Sequence, residues 1–285
     1  MNVRVEMAFA VIAHRGSDTN LALAAAGAGS LLSPRQALLA LGPDDVALAR
    51  LDVTDELDGI EPGLETLERL AAAGAIVLNP GRALTAAHDK LLTVRALRRA
   101  GLPHPWTALL GPAAEPPPDL AFPVVLKPRF GSWGRGVTLC RNAEALRRAT
   151  HALAFRPWFR AHGALVQELV PPCGHDLRVI VAGGRVVGTA RRDAALGEWR
   201  TNVSLGGVSS PTDAPDDACR LAEAAAAAIG ADFVGVDLLP CGEAYIILEL
   251  NGAVDVQPWY ARSGDLAGDA VAVLLEHAAG PRAAA

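Results

Sequence analysis

The chain has 285 residues, of which 51% are hydrophobic and 20% charged, with a formal net charge of −5. That length supports two or three packed modules, and the composition excludes a disordered tail. The mildly acidic balance argues against non-specific nucleic-acid binding. Four cysteines, Cys140, Cys173, Cys219 and Cys241, form neither a C-x-x-C pair nor a zinc spacing, which points to a reduced cytoplasmic protein with incidental thiols.

The first apolar run, within MNVRVEMAFAVIAHRGSD, is too short to cross a bilayer and reads as a strand over 7–13. No other tract is long enough to span a membrane. Alanine and leucine content predicts a helix over 20–28. A strand is expected over 45–51, an amphipathic helix over 64–73 closed by Gly74, and a strand over 75–78 stopped by Asn79-Pro80-Gly81. Strand–helix alternation implies a parallel sheet with helical crossovers. A helix follows over 89–100, capped by Gly101, and the proline-rich stretch 111–118 must be a surface connection. Beyond it come a strand ending at Lys127, a helix over 143–149 and a strand over 165–169. A hairpin is expected from 176–181 and 185–191, joined by Ala182-Gly183-Gly184. The remainder reads as a helix over 218–229, paired strands over 233–239 and 244–250, and a closing helix over 265–279. There is no internal repeat.

Three stretches carry chemistry. In VVLKPRFGSWGRG, residues 124–136, Lys127 precedes the glycines, whereas a Walker-type loop places its lysine after them, and no G-x-G-x-x-G fingerprint is present. Strand, lysine and flexible glycine cover suit phosphate oxygens, which take an ammonium and close backbone N–H groups. The competing reading is a hairpin turn with a snorkelling surface lysine. Second, Asp237 lies in FVGVDLLP, and Glu249 and Asn251 lie in AYIILELNG. Residues two apart share a strand face, so two carboxylates and an amide oxygen suit Mg²⁺, against the reading of solvated edge positions. Third, Arg178 interrupts an apolar strand, Arg191 and Arg192 lie on its partner, and Arg200 and Asn202 follow in EWRTNVSLGG. An arginine among strand aliphatics faces an anion, with an exposed strand face as the alternative, favoured for Arg191 and Arg200.

The ordered set of strand-lysine, glycine loop, QELV (167–170), DLR, RR, TN…GG, DxL and ELN resembles the ATP-grasp ligases. Within them it is similar to the branch of ribosomal-protein S6 glutamate ligase, the lysine-biosynthesis ligase acting on an amino-group carrier protein, and the tetrahydromethanopterin glutamate ligase. The run NPGRAL…DKL followed by GLPxP is typical of that branch, and the likeness covers nearly the whole chain. It implies an α/β architecture with an N-terminal parallel domain over 1–86 and a two-lobed ATP-grasp part, 87–168 carrying the lid and 169–285 carrying the metal. It implies that Lys90 and Lys127 contact ATP phosphates under a lid of Gly131, Ser132, Trp133, Gly134 and Gly136. Gln167, Glu168, Leu169 and Val170 would form the adenine hinge, and Asp176 would lie near the ribose. Arg178 and Arg192 would hold the γ-phosphate and an acyl phosphate, and Asn202 would help at the phosphates or metal. Asp237, Glu249 and Asn251 would hold Mg²⁺, or Mn²⁺. The implied reaction joins a carboxylate to an amine through an acyl phosphate, releasing ADP. Its partners would be ATP, an amino acid such as glutamate, and a small-molecule or protein-tail carboxylate, with no nucleic acid or membrane. A cytoplasmic dimer or tetramer is the expectation. A peptide-forming ligase of secondary metabolism, or a catalytically silent protein on the same fold, are the alternatives. After ELN the chain departs from the better-known members at GAVDVQPWY, where Asp255 and Trp259 either read the acceptor or cap and pack the last helix.

Overall fold

The computed structural model describes residues 7–112, 114–117 and 119–280. Its first sheet is built from β1 (Phe9–Ile12), α1 (Asp18–Ala26), β2 (Ser30–Leu32), α2 (Pro34–Ala40), β3 (Val46–Ala49), α3 (Leu64–Ala72) and β4 (Ile76–Leu78). The strands run parallel in the order β2-β1-β3-β4. β1 and β3 are buried at every position, as a sheet between two helical layers requires. α1 begins two residues before its expected start because the Ser17 side chain accepts from Asn20 N–H. β2 and α2 were not expected. α2 is set by a reciprocal cap between Ser33 and Gln36 with Pro34 in its first turn, a local signal hidden beside a continuous apolar run.

Asn79-Pro80-Gly81 ends β4 as expected, but it also opens a new helix, α4 (Gly81–His88). Asn79 is 1% exposed, and its amide bonds the backbone at Asp232 and Phe233 with distances of 2.7–2.9 Å. The turn is therefore the rivet between the first sheet and the last one. Asp89 then caps α5 (Lys90–Arg99) and is held in a two-pronged pair by Arg129.

The second sheet contains β5 (Thr107–Leu110), β6 (Val124–Pro128) and β7 (Thr138–Cys140). Next come α6 (Ala143–Leu153), α7 (Pro157–His162) and β8 (Ala164–Glu168). It is antiparallel in the order β5-β8-β6-β7. In the expected proline-rich connection, residues 113 and 118 lie outside the described residues, and the rest are exposed or half-exposed.

The third sheet carries β9 (His175–Ala182), β10 (Arg185–Asp193), β11 (Val208–Pro211), α8 (Asp216–Ile229), β12 (Phe233–Cys241), β13 (Ala244–Asn251) and α9 (Leu266–Ala279). Its order is β11-β10-β9-β12-β13, antiparallel throughout. The β9–β10 turn is Gly183-Gly184 alone, with φ of +52° and +78°, the left-handed pair that a two-residue hairpin demands. One face of β9 and β12 packs under α8 through Val179, Val181, Val234 and Val236. The other face is divided along its length. Ile180, Ala182 and Phe233 join α9 and β1 in an apolar cluster. Asp176, Arg178 and Asp237 continue the same face into a cleft opposite the second sheet.

Candidate active site

Lys127 stands on β6 at 6% exposure, which overturns the surface-lysine reading. Its ammonium donates to Gln167 Oε1 at 2.9 Å, and the Gln167 amide donates in turn to Thr107 Oγ1 at 2.9 Å. A neutral amide is a poor counterion. Burial therefore pushes the Lys127 pKa down to about 8, with Glu249 opposing and Lys90 adding to the fall. Lys90 opens α5 beside it. Its Nζ donates to Gly131 O and lies 3.8 Å from Glu249. The Arg129–Asp89 pair and the Lys90 N–H to Arg129 O bond fix this helix start against the end of β6.

Gly131 to Gly136 bridge the cleft. Gly136 has φ +70°, and a Cβ there would come within 2.8 Å of Pro128 Cγ, so only glycine makes this turn. Trp133 adopts φ +64° and is 56% exposed, a costly backbone for a bulky residue. The lid is held from both sides. Arg135 pairs with Asp55 of the first domain, which also pairs with Arg15. Ser204 donates to Trp133 O at 3.0 Å, and Arg200 donates to Gly134 O at 3.4 Å. Asn202 Oδ1 packs against Gly134. The lid contacts made by Arg200 overturn its reading as an exposed strand residue. Arg191 fits that reading: it is exposed and pairs with neighbouring Asp193.

Across the cleft the charges are arranged by strand register. Arg178, Asp237 and Glu249 are directly opposite one another on β9, β12 and β13. Asn251, opposite Gly235, joins their face. A one-residue bulge on β13 at Leu248 shifts the pairing from Asp237↔Glu249 to Leu238↔Ile247. It keeps Ile247 and Leu250 under α8 while Glu249 and Asn251 face the cleft. Arg178 forks onto both oxygens of Asp237 at 2.8 and 2.7 Å. Arg192, 5% exposed, reaches Asp237 at 2.8 Å and forks onto fully buried Asp176. Burial alone would raise the Asp237 pKa, but the two guanidiniums outweigh it and hold the carboxyl far below its ordinary range. The Asp176 carboxylate is taken up by Arg192 and Thr201. Asp176 thus lines the cleft as the buried counterion of Arg192.

Gln167, Glu168, Leu169 and Val170 line the same cleft at the end of β8. The Glu168 carboxylate accepts from Trp106 N–H at 2.7 Å, and the Glu168 N–H donates back to Trp106 O at 3.0 Å. Asp237, Glu249 and Asn251 supply only hard oxygen donors on one face, and the buried Asn251 Nδ2 has no partner. This set fits Mg²⁺ bound jointly with phosphate oxygens, provided the arginines release part of Asp237. Among the described residues no three His, Cys, Asp or Glu side chains form a metal cage by themselves.

A second cavity of about 650 Å³ adjoins the cleft, with Lys90, Trp133, Arg192, Asn202 and Glu249 on their shared wall and Arg178 on the cavity side alone. Its far wall comes from Asp52 and His88 and from the 253–260 segment, including Asp255 and Trp259. Asp255 does not cap the last helix, because Asp265 does so through Gly268 N–H. Trp259 lines the cavity while packing against Tyr260 and the cluster beneath α9. Neither Asp52 nor His88 was visible in the sequence as a site residue. Asp52 lies three residues beyond β3 and His88 ends α4, so residues 36 positions apart come to one cavity only through the fold.

The family model for the RimK-like ATP-grasp domain matches residues 87–273. A probable alpha-L-glutamate ligase of Enterobacter sp. (strain 638) is 31% identical over 226 residues, covering 76% of this chain and 73% of its own. The glutamate–LysW ligase ArgX of Sulfurisphaera tokodaii is 34% identical over 188 residues, 64% of this chain and 66% of that one. Among solved structures, the RimK domain protein ATP-grasp of Sphaerobacter thermophilus superposes with a TM-score of 0.67 at 24% identity, covering 94% of this chain and 99% of its own. The D-alanine–D-alanine ligase of Bacillus anthracis complexed with ATP gives 0.67 at 16% identity, covering 95% and 97%. These two share the fold.

Proposed function

The chain belongs to the RimK-like ATP-grasp family and is an ATP-dependent carbon–nitrogen ligase, and from that premise we propose that it adds glutamate or another amino acid to a small-molecule or protein-tail carboxylate. The observation that carries the reading is the opposition across one cleft of two lysines, Lys90 and Lys127, to the Arg178–Asp237–Glu249 row. One side neutralises a polyphosphate, and the other meets charge on a transferring phosphoryl group.

In this reading the backbone from Gln167 to Val170 reads the adenine, and Lys127 and Lys90 take the phosphates. Bound Mg²⁺, or Mn²⁺, held by Asp237, Glu249 and Asn251, supplies charge neutralisation at the phosphoryl oxygens. Arg178 and Arg192 turn from Asp237 toward the γ-phosphate as the substrate carboxylate attacks it and ADP leaves. Trp133 and the lid glycines keep water from the acyl phosphate until the amine displaces phosphate. The units 1–86, 87–168 and 169–285 close on one another around this cleft. The protein works in the cytoplasm as a homo-oligomer.

The test is product analysis with Mg-ATP, an amino-acid panel and candidate acceptors, following ADP, AMP and a mass gain of one amide-linked residue. ADP release that requires both an amino acid and an acceptor supports the reading. AMP release means acyl-adenylate chemistry and overturns it.

A further inference from the structure

The far wall of the 650 Å³ cavity includes a segment that belongs to no sheet. Ala253, Asp255 and Gln257 line the cavity, while Val254 and Val256 pack into the apolar cluster beneath α9. Val254 fills the notch left by Gly235 on β12, where a Cβ would come within 2.6 Å of a valine methyl. Gly252 is confined as well: a Cβ there would meet His88 Nε2 and Leu84 at 3.0 Å. Yet the backbone of 254–256 bonds to no other backbone group among the described residues. Its hydrogen bonds go to two side chains of the first domain. Arg50 donates to Val254 O at 2.8 Å. Thr19 Oγ1 accepts from Val256 N–H at 3.1 Å and lies 3.5 Å from Val256 O.

Arg50 follows β3 directly and is 2% exposed. Its Nε donates to Asn20 Oδ1, and Asn20 is fixed in turn at the start of α1 by donating to Arg15 O at 2.8 Å. The guanidinium lies over the Phe233 ring, 5.6 Å from its centroid. Its hydrogen bonds thus go to a neutral amide and a carbonyl, and its buried Nη1 has no partner. Burial pulls the Arg50 pKa down to about 10, against the opposing charges of Asp255 and Asp52. For the fold alone this is a costly side chain, because neutral acceptors return only part of the desolvation of a buried cation. What the guanidinium supplies, and an aliphatic side chain cannot, is a directional hold on α1 and the 254–256 backbone at once.

We propose that Arg50 is a positioning residue for the substrates other than ATP. With Thr19 it holds the 253–257 segment against the first domain and so sets where Asp255 and Gln257 stand in the cavity. This rests on the ligase reading above, with the cavity as the place where those substrates approach the phosphoryl group. Arg50 itself lines neither the cleft nor the cavity, so it acts only through the segment. The nucleotide cleft takes no residue from 253–257. Loosening the segment therefore separates the two kinds of substrate, whereas general destabilisation affects both.

The test uses the full chain with the variants Arg50→Met, Arg50→Lys and Thr19→Val. Thr19→Val removes only the hydroxyl, so it examines the clamp without disturbing the core at Arg50, and it carries the test if Arg50→Met does not fold. The first readout is hydrogen exchange across 252–257. The second is steady-state ADP release with Mg-ATP, L-glutamate and the carboxylate that supports turnover in the wild type. Arg50→Met and Thr19→Val should each lose exchange protection across 252–257. Each should raise the KM for glutamate or for the carboxylate by about tenfold to a hundredfold, the scale of a small misplacement, while the KM for ATP changes by less than about twofold. Arg50→Lys keeps the charge and a single donor group, and should recover part of both effects. Unchanged exchange across 252–257 overturns the clamp. A KM for ATP that rises in step with the others, or unchanged KM values for glutamate and the carboxylate, overturns the positioning role and leaves the ligase standing. If the wild type releases no ADP with any carboxylate, the ligase reading fails, and the clamp stands or falls on the exchange result alone.

Discussion

The two walls of the cleft solve the same electrostatic problem in opposite ways. On the second sheet, Lys127 is buried against a neutral amide and its pKa is driven down to about 8. On the third sheet, half-buried Arg178 and buried Arg192 are paired with Asp237 and Asp176. The first wall stores an unmet demand for an anion, at a cost in stability. The second is neutral at rest, and its arginines must change partners to act on a phosphate. A lone ion in a low-dielectric site favours ligand binding, whereas a satisfied network favours the fold.

Removing the centre of the satisfied wall should have the largest effect. Asp237→Ala leaves buried Arg192 and half-buried Arg178 short of a counterion and should cost about 3–5 kcal/mol in a denaturant titration, with turnover lost as well. Retention of wild-type stability would show that the network contributes little to the fold. Glu249→Gln is milder for the fold, because Glu249 is only partly buried and its ion-pair contact with Lys90 is long, at 3.8 Å. It should retain a native melting curve while ADP release falls by about a hundredfold or more, the usual scale for loss of one group stabilising transition-state charge. Wild-type activity in this variant would sink the metal assignment.

The unsatisfied wall should answer differently. Lys127→Met should weaken ATP binding by about tenfold to a hundredfold, from one charge-assisted contact, and leave the ligand-free protein as stable or more so. A large loss of stability would mean that Lys127 is a structural residue. The same lysine sets a pH dependence. An unfolded lysine titrates near about 10.4, so the depressed folded value works against stability at neutral pH. That penalty lifts as pH rises from about 8 toward the unfolded value. Phosphates select the ammonium form. ATP affinity should therefore be flat below about pH 8 and fall above it by up to about tenfold per unit. Calorimetry on the wild type and Lys127→Met should show the slope in the first and its absence in the second. The smallest effect belongs to the latch between the walls. Asp55→Ala removes an exposed contact to Arg135 and should raise the KM for ATP by about twofold or less. Faster hydrogen exchange across 131–136 should accompany it.

Much of this contrast was legible before any fold was known. Lys127 was readable because a lysine inside an apolar strand and the glycines behind it are covalent neighbours. Glu249 and Asn251 shared a face by the two-residue strand period. The elements missed were short and governed by side-chain caps, as at Ser33–Gln36, or were edge strands such as β2, β7 and β11 with little apolar signal. Asn79 read as a turn residue. Nothing local showed that its amide would bond to residues 153 and 154 positions away.

By itself the amino-acid sequence determined which chemical groups this protein brings to a phosphate: a strand lysine, a glycine cover, arginines and oxygen donors in order. The tertiary structure alone decided who neutralises whom. Arg178 is tied to Asp237 across 59 positions because β9 and β12 are neighbours in register. Arg50 turns from neighbouring Asp52 to Asn20 Oδ1 and to Val254 O, 204 positions away, and keeps a buried Nη1 without a partner. The reason is physical. The state of a buried charge is set by the nearest countercharge and the water excluded around it. Both are properties of packing across strands and domains, which no spacing along the chain encodes.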